Sequence, residues 1–320
     1  MQQINIEVLT KARDWIVQQR QVWLATIAAA SGSSPRPVGS LLCADGVSGQ
    51  VGSLSGGCVE EDLLDQLRSG ALSVDVPTVV EYGVSAEENE RLGLPCGGRL
   101  TVLVQPLGDA DVRWIDALLD SVLGRSCVQR ALDMSSGVTS LVEQNQFTEL
   151  EFDGSFLRQS FGPQMRMILV GAGHLSETLA ELALSMDYEV LVTDPRQAIL
   201  DQWSGPEVPL HQGMPDDVVT RFGDDERCII ITLTHDPRID DMALMEALTS
   251  RAWYVGALGS MRTTEKRLER LRQLDIPFAS LQRLRAPVGL DIGSKTPLEI
   301  AVAIMAELTQ LRANKAHGRY

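Results

Sequence analysis

Apolar residues recur at two different rhythms along this chain, and the change of rhythm divides it. Near the start, Ile4, Val8, Ala12, Trp15 and Ile16 fall at helical spacing and predict an amphipathic helix over about 4–19. The unbroken apolar run from Val22 to Ala28 predicts a buried strand. Ser31 to Pro37 has the composition of a loop, and short strands follow over Gly39 to Cys43 and Gly49 to Ser53. A helix from Cys58 to Arg68 places Val59, Leu63, Leu64 and Leu67 on one side. Strands at Thr78 to Tyr82 and Leu100 to Gln105, a helix from Asp111 to Leu123, and weaker strands up to Phe161 complete a small α+β domain.

After Phe161-Gly162-Pro163 the rhythm becomes a regular alternation of strand and helix. Strands are expected at Arg166 to Val170, Tyr188 to Thr193, Cys228 to Leu233 and Trp253 to Ala257. Helices are expected at His174 to Ser185, Ile239 to Arg251 and Met261 to Leu274. Thr296-Pro297-Leu298-Glu299 is a capping box with proline at the first helical position, and Ile300, Ile304, Leu308 and Leu311 give that helix its buried stripe. The alternation predicts a doubly wound parallel sheet with helices on both faces. The fold class is therefore α/β, with an amino-terminal α+β domain over residues 1–161 and a Rossmann-like domain over residues 162–320.

Composition narrows the functions available. The chain has 320 residues and a formal net charge of −15, with 44% hydrophobic residues. Such an acidic protein is a poor match for nonspecific nucleic-acid binding or for anionic membranes. The amino terminus lacks a basic stretch followed by an apolar run, and no apolar run is long enough to span a membrane. A cytoplasmic protein is expected. Five cysteines, none in a CxxC pair, argue against a disulfide framework, and the four histidines lack zinc-site spacing.

Three glycine-rich turns carry the chemistry. Gly52-Ser53-Leu54-Ser55-Gly56-Gly57-Cys58 places a cysteine where a helix starts. The helix terminus favours its thiolate, while Glu60, Glu61 and Asp62 oppose it by repulsion. Leu94-Pro95-Cys96-Gly97-Gly98-Arg99 presents a second thiol in a loop. Cys43, Cys127 and Cys228 lie within apolar strands and fit core packing better.

The third turn, Gly171-Ala172-Gly173-His174, joins an apolar strand to a helix, the context of a dinucleotide fingerprint. The first glycine allows the tight turn, and Gly173 lets a pyrophosphate approach the helix N-terminus. A bulky residue at Gly173 is expected to block that approach and to crowd helix–strand packing. Ser176 stands where the usual third glycine would be. Asp194 sits where a ribose-binding acid belongs. Asp194-Pro195-Arg196 and Asp236-Pro237-Arg238 repeat one tripeptide after two strands; the arginines suit phosphates, and Asp-Pro equally suits a helix start. His174 and His235 follow strands near the sheet crevice, Arg36 and Arg99 flank turns, and Lys295 precedes a helix.

Taken together, these segments resemble the XdhC/CoxI family, the accessory proteins of xanthine dehydrogenase and related molybdenum hydroxylases. The carriers are Gly32-Ser33-Ser34-Pro35-Arg36, the turns holding Cys58, Cys96 and Gly171, Thr234-His235-Asp236, Tyr254-Val255-Gly256-Ala257-Leu258-Gly259-Ser260 and Pro287-Val288-Gly289-Leu290-Asp291-Ile292-Gly293. The resemblance implies a molybdenum cofactor chaperone. Such a protein protects the cofactor while a cysteine desulfurase supplies its sulfido ligand, then delivers it to the hydroxylase large subunit. The cofactor is either molybdopterin or its cytosine dinucleotide form.

Soft thiolates suit a thiomolybdenum centre, which makes Cys58 a candidate molybdenum ligand. Cys96, Gly56, Gly57, Arg36, Gly171, Gly173, His174, Asp194, Arg196 and His235 complete the candidate cofactor-binding set, with no catalytic residue. Two other readings stay open: an NAD(P)-dependent oxidoreductase, resting on the glycine turn alone, and a redox sensor or scaffold using Cys58 as a switch. No tyrosine–lysine pair or other acid–base constellation stands out in the second half. A homodimer also stays open.

Overall fold

In the computed structural model of the protein, residues 3–32, 36–91, 98–144, 148, 150–274 and 276–316 are described. The chain divides into two compact units, Met1–Pro163 and Gln164–Tyr320.

The first unit begins with helix α1 (Gln3–Val17) and strands β1 (Val22–Ser31), β2 (Leu41–Ala44) and β3 (Gln50–Gly52). Helix α2 (Cys58–Arg68), strand β4 (Thr78–Tyr82), helix α3 (Ala86–Arg91) and strand β5 (Arg99–Leu107) follow. Helix α4 (Val112–Leu123) precedes strands β6 (Cys127–Asp133), β7 (Thr139–Gln144), β8 (Glu151–Phe152) and β9 (Phe156–Phe161). The first five strands form an antiparallel sheet in the order β3-β2-β1-β5-β4, and the last four form a second sheet in the order β7-β6-β9-β8.

Strand β1 is apolar throughout because both of its faces are covered. Trp23, Ala25 and Ile27 face α2, where Val59, Leu63, Leu64 and Leu67 pack on them. Val22 and Leu24 face the opposite way, against α1 and α4, through Val8, Leu9, Ala12, Ile115 and Leu118. The two-residue alternation of a strand sorts these side chains between two cores.

The second unit contains β10 (Arg166–Val170), α5 (His174–Ser185), β11 (Glu189–Asp194), α6 (Gln197–Leu200), β12 (Leu210–Gln212), α7 (Pro215–Phe222) and β13 (Cys228–Thr232). It continues through α8 (Pro237–Thr249), β14 (Tyr254–Ala257), α9 (Met261–Gln273), α10 (Phe278–Leu281), β15 (Leu284–Arg285) and α11 (Pro297–Ala316). All five strand pairings are parallel, and the order is β12-β11-β10-β13-β14-β15. Numbered within the unit, that is 3-2-1-4-5-6, the doubly wound order of dinucleotide-binding folds. Met167, Leu169, Ile229 and Ile231 pack on α5 and α11 through Leu179, Ala183, Ile304 and Leu308. Ile168, Val170 and Ile230 pack on α7, α8 and α9 through Val219, Leu244, Leu248 and Leu271.

The entry to α11 follows the sequence pattern. Thr296 Oγ1 accepts the Glu299 N–H at 3.3 Å, and the Glu299 carboxylate accepts the Thr296 N–H at 2.9 Å. Among the described residues, no helix is long and apolar enough to cross a membrane.

Candidate functional site

The strand order reverses between β10 and β13, and the loops after those strands meet there. Gly171 has φ +104°, and a Cβ on it would lie 2.7 Å from Thr234 Cγ2. Both facts require glycine. Gly173 is different. It caps α5 in extended conformation (φ −91°), and a Cβ there would meet nothing within 4 Å. The expected crowding of helix against strand at Gly173 is therefore wrong: the space in front of this residue is open. Ser176 explains why the third glycine can be absent. It is buried, and its hydroxyl donates to the Gly171 carbonyl within the same turn.

Asp194 ends β11, but its carboxylate is spent inside the protein. It is fully buried. It accepts the Ala172 N–H at 3.2 Å, the Arg196 N–H at 2.9 Å, and both Nε and Nη2 of Arg196 at 2.8 Å. Burial pushes this acid up, yet the Arg196 guanidinium and the two amides outweigh it and hold the acid below the usual carboxylate range. Asp194 thus braces the glycine turn from the β11 side.

The second tripeptide folds in the same way. Asp236 accepts Arg238 N–H at 3.0 Å and takes Nε and Nη2 at 3.1 and 2.8 Å. It also caps α8, with Pro237 in the first turn. Of the two aspartates only Asp236 starts a helix; Asp194 ends β11, and α6 is capped by Arg196. Each arginine is clamped to its own aspartate. His174 and His235 are exposed, and His174 Nδ1 lies 3.2 Å from Glu177 Oε2.

Beneath the Thr234 loop lies a buried network that the sequence did not announce. Asp240 Oδ1 accepts the Thr234 hydroxyl at 2.7 Å, and Asp240 Oδ2 accepts Arg267 Nη2 at 2.8 Å. Arg267 Nη1 donates to the Leu258 carbonyl at 3.0 Å. These two side chains tie the loops after β13 and β14 together. Arg267 sits in a heavily charged helix that reads as solvated, and only its buried stripe position in α9 could have flagged it.

In the first unit, the strand register gathers the signature segments at one end of the sheet. Ser31 pairs with Arg99, Tyr82 with Leu100, and Gly52 with Leu42. Gly32, Gly98 and the turn after Gly52 therefore leave the same end. Arg91, which closes α3, pairs with Asp62 of α2 at 3.0 Å. Cys96, with Pro95 and Gly97, and Ser33, Ser34 and Pro35, lie outside the described residues. Arg36 and Arg99 are exposed.

Cys58 is the first residue of α2, exposed and free. Cys43 and Cys228 are buried as core thiols, and burial pushes Cys43 up to about 12. Cys127 departs from the expected core role: it opens β6 half-buried, because strand alternation turns it away from the core side that holds Val128.

The residue missed here is Glu60. It is 5% exposed, and its carboxylate gathers the whole turn before Cys58. It accepts backbone N–H groups of Leu54 at 2.8 Å, Ser55 at 2.9 Å, Gly56 at 2.8 Å and Gly57 at 3.0 Å. It also accepts the hydroxyls of Ser53 at 2.8 Å and Ser55 at 2.5 Å. Glu60 is thus not simply a repelling charge beside the thiol. Its charge is satisfied by six donors. The available signal was a capping-box glutamate at the third helical position, obscured because glycine rather than serine or threonine is the cap.

Burial would raise Glu60, but the hydrogen bonds of Ser55, Gly56 and Gly57 dominate and hold it down at about 2. Displacement from its usual 4.5 to about 2 corresponds to about 3 kcal/mol. Because the folded-state value is depressed, this stability is present above 4.5 and is lost as pH falls toward 2. Denaturant unfolding of wild type and Glu60→Gln is expected to give stability curves that converge as pH falls below about 4.5. A gap independent of pH would refute the assignment.

Among the described residues, no group of three or more His, Cys, Asp or Glu side chains could hold a metal ion. Among those residues the first unit offers the exposed Cys58 thiol on a braced turn, and the second an open glycine at a helix N-terminus.

Comparison with known proteins gives consistent matches. The model of the XdhC and CoxI family matches residues 15–83, and the XdhC Rossmann domain model matches residues 167–308. The chain is 28% identical over 323 residues to a probable xanthine dehydrogenase subunit of Bacillus subtilis (strain 168), covering 93% of this chain and 95% of the relative. It is 24% identical over 312 residues to the molybdenum cofactor insertion chaperone PaoD of Escherichia coli (strain K12), covering 96% and 89%. A crystal structure described as a xanthine dehydrogenase from Bacillus halodurans superposes with a TM-score of 0.76 at 24% identity, covering 97% of this chain and 96% of that one. At that identity the likeness is one of fold.

Proposed function

The chain belongs to the XdhC and CoxI family, and on that premise we propose that it serves molybdenum cofactor maturation, as a chaperone that holds the cofactor and passes it to a molybdenum hydroxylase. The observation that carries this reading is the exposed Cys58 thiol on a turn whose amides are already satisfied by Glu60. A thiolate is a soft ligand and suits a thiomolybdenum centre. The name of the relative PaoD, a molybdenum cofactor insertion chaperone, supports the same reading.

The residues fit such a ligand chemically. Cys58 would face the metal, and no Cβ stands in front of Gly56 or Gly57. Taken by itself, the second unit offers Gly173 and the first amides of α5 to a phosphate, as carried by molybdopterin or its cytosine dinucleotide. When bound in its client, the cofactor supplies oxygen-transfer and redox chemistry. In this chain the task is holding and shielding, with no substrate turned over. Sulfuration by a cysteine desulfurase, delivery to the large subunit of a xanthine dehydrogenase-type hydroxylase, and a cytoplasmic setting belong to the proposal. An NAD-type oxidoreductase is less well supported, because Asp194 has both carboxylate oxygens engaged and none left for a ribose diol.

Deletion of the gene from its native cell tests the proposal. Hydroxylase polypeptide is expected to accumulate with depleted sulfurated cofactor and low activity, both restored by the wild-type gene. Unchanged cofactor content and sulfuration in every molybdenum hydroxylase would sink it.

A further inference from the structure

Consecutive amides turned toward one point form a concavity that usually holds an external anion. The turn before α2 has this form, and its occupant is internal. The N–H groups of Leu54, Ser55, Gly56 and Gly57 and the hydroxyls of Ser53 and Ser55 all end on the Glu60 carboxylate. None of these four amides is left for a ligand phosphate. What the turn offers outward is the exposed Cys58 thiol and the bare α-carbons of Gly56 and Gly57, where a Cβ would meet nothing within 4 Å.

From this arrangement we infer that Glu60 is the positioning residue of the Cys58 site: its carboxylate locks the turn from inside, so that the thiol and the glycine face are held in one geometry. Cys58 and Glu60 share the first turn of α2, so the group that ties down the loop also sets where the helix begins. Neither neighbouring acid can replace it. Asp62 is drawn to Arg91 at 3.0 Å, and Glu61 is exposed. The geometry also separates the labour of the glycine-rich turns: the turn at Cys58 is a thiol mount and not a phosphate cradle.

This inference rests on the reading of Cys58 as a cofactor ligand, and its test is built to fail separately from that reading. Glu60→Gln keeps the size of the side chain but turns an amide NH₂ toward donors. Two measurements on the full chain follow the effect. One is the rate of Cys58 alkylation by iodoacetamide at a fixed pH, read by peptide mass spectrometry. The other is retention of molybdenum cofactor released anaerobically from a purified molybdenum hydroxylase.

In folded Glu60→Gln, retention is expected to fall about 10–100-fold, the usual effect of removing a group that orients a ligand. The alkylation rate is expected to fall, because the turn no longer holds the thiol exposed in one geometry. A folded variant with both readouts unchanged would make Glu60 a stability residue and overturn the inference. If Glu60→Gln does not fold, Ser55→Ala decides: it removes one hydroxyl donor to Glu60 Oε2, and unchanged retention there overturns the inference while a partial fall supports it. Wild-type protein that retains no cofactor, with an alkylation rate that still falls in the variant, removes the proposed function and leaves the positioning role standing.

Discussion

Gly171→Val is expected to destabilise the second unit severely, whereas Gly173→Val, two residues on, is expected to leave it folded and to abolish phosphate binding. The two glycines look alike in sequence and differ in physics. Gly171 sits at φ +104°, and an added Cβ would come within 2.7 Å of Thr234 Cγ2. A β-branched side chain there adds about 1–3 kcal/mol of backbone strain and about 1–3 kcal/mol of crowding. That is a large share of a typical domain's stability of about 5–15 kcal/mol. Gly173 has an ordinary extended backbone and open space in front of it, so a valine costs the fold little. It fills the space a pyrophosphate would use. Chemical unfolding of both variants, with titration of inorganic pyrophosphate into the folded one, checks the pair. Unchanged pyrophosphate affinity in folded Gly173→Val would place the phosphates elsewhere, with the Arg36 loop as the next candidate.

How much of this was legible in the sequence depends on which interaction sets each feature. Helix α2 was readable to the residue because Val59, Leu63, Leu64 and Leu67 make one buried stripe at helical spacing. Helix α3 was not, because Ala86–Arg91 carries no apolar stripe; its start is fixed by Ser85 and Glu88, and Arg91 pairs with Asp62. Strand β15 is two residues long, too short for a pattern, and gains its place by pairing with β14 and by packing Leu284 on the core. The glycine turn after β10 was readable because strand, turn and helix are local. The fate of Asp194 was not: position placed an acid at the strand end, but only the fold shows Arg196 folding back over it and the Ala172 amide pointing into it.

The same limit hid Glu60 and Arg267. Charge counting treats an acid or a base as solvated unless its partners are visible. Four of the six donors to Glu60 are backbone amides, which no residue code displays. The partners of Arg267 come from the loop after β14 and from α8, and meet it only in the folded unit. Conversely, Cys58 was separable from Cys43 and Cys228 in advance, because glycine-rich turns rarely build cores.

Cys58→Ser is expected to leave stability nearly unchanged and to remove cofactor binding. The thiol is exposed, so the substitution gives up no packing. An un-ionised hydroxyl is a poor ligand for a soft metal centre. Cys228→Ser is the control with the opposite signature: that thiol is fully buried in β13, and a hydroxyl in its place costs about 1–3 kcal/mol, with binding per folded molecule preserved. The decisive measurement is molybdenum and pterin content of the wild-type and Cys58→Ser proteins, each purified anaerobically from a molybdenum-replete cell and matched for folded protein by melting temperature. The account predicts molybdenum and pterin together on the wild type and neither on Cys58→Ser. Equal content in the two proteins, or none on the wild type, would contradict it.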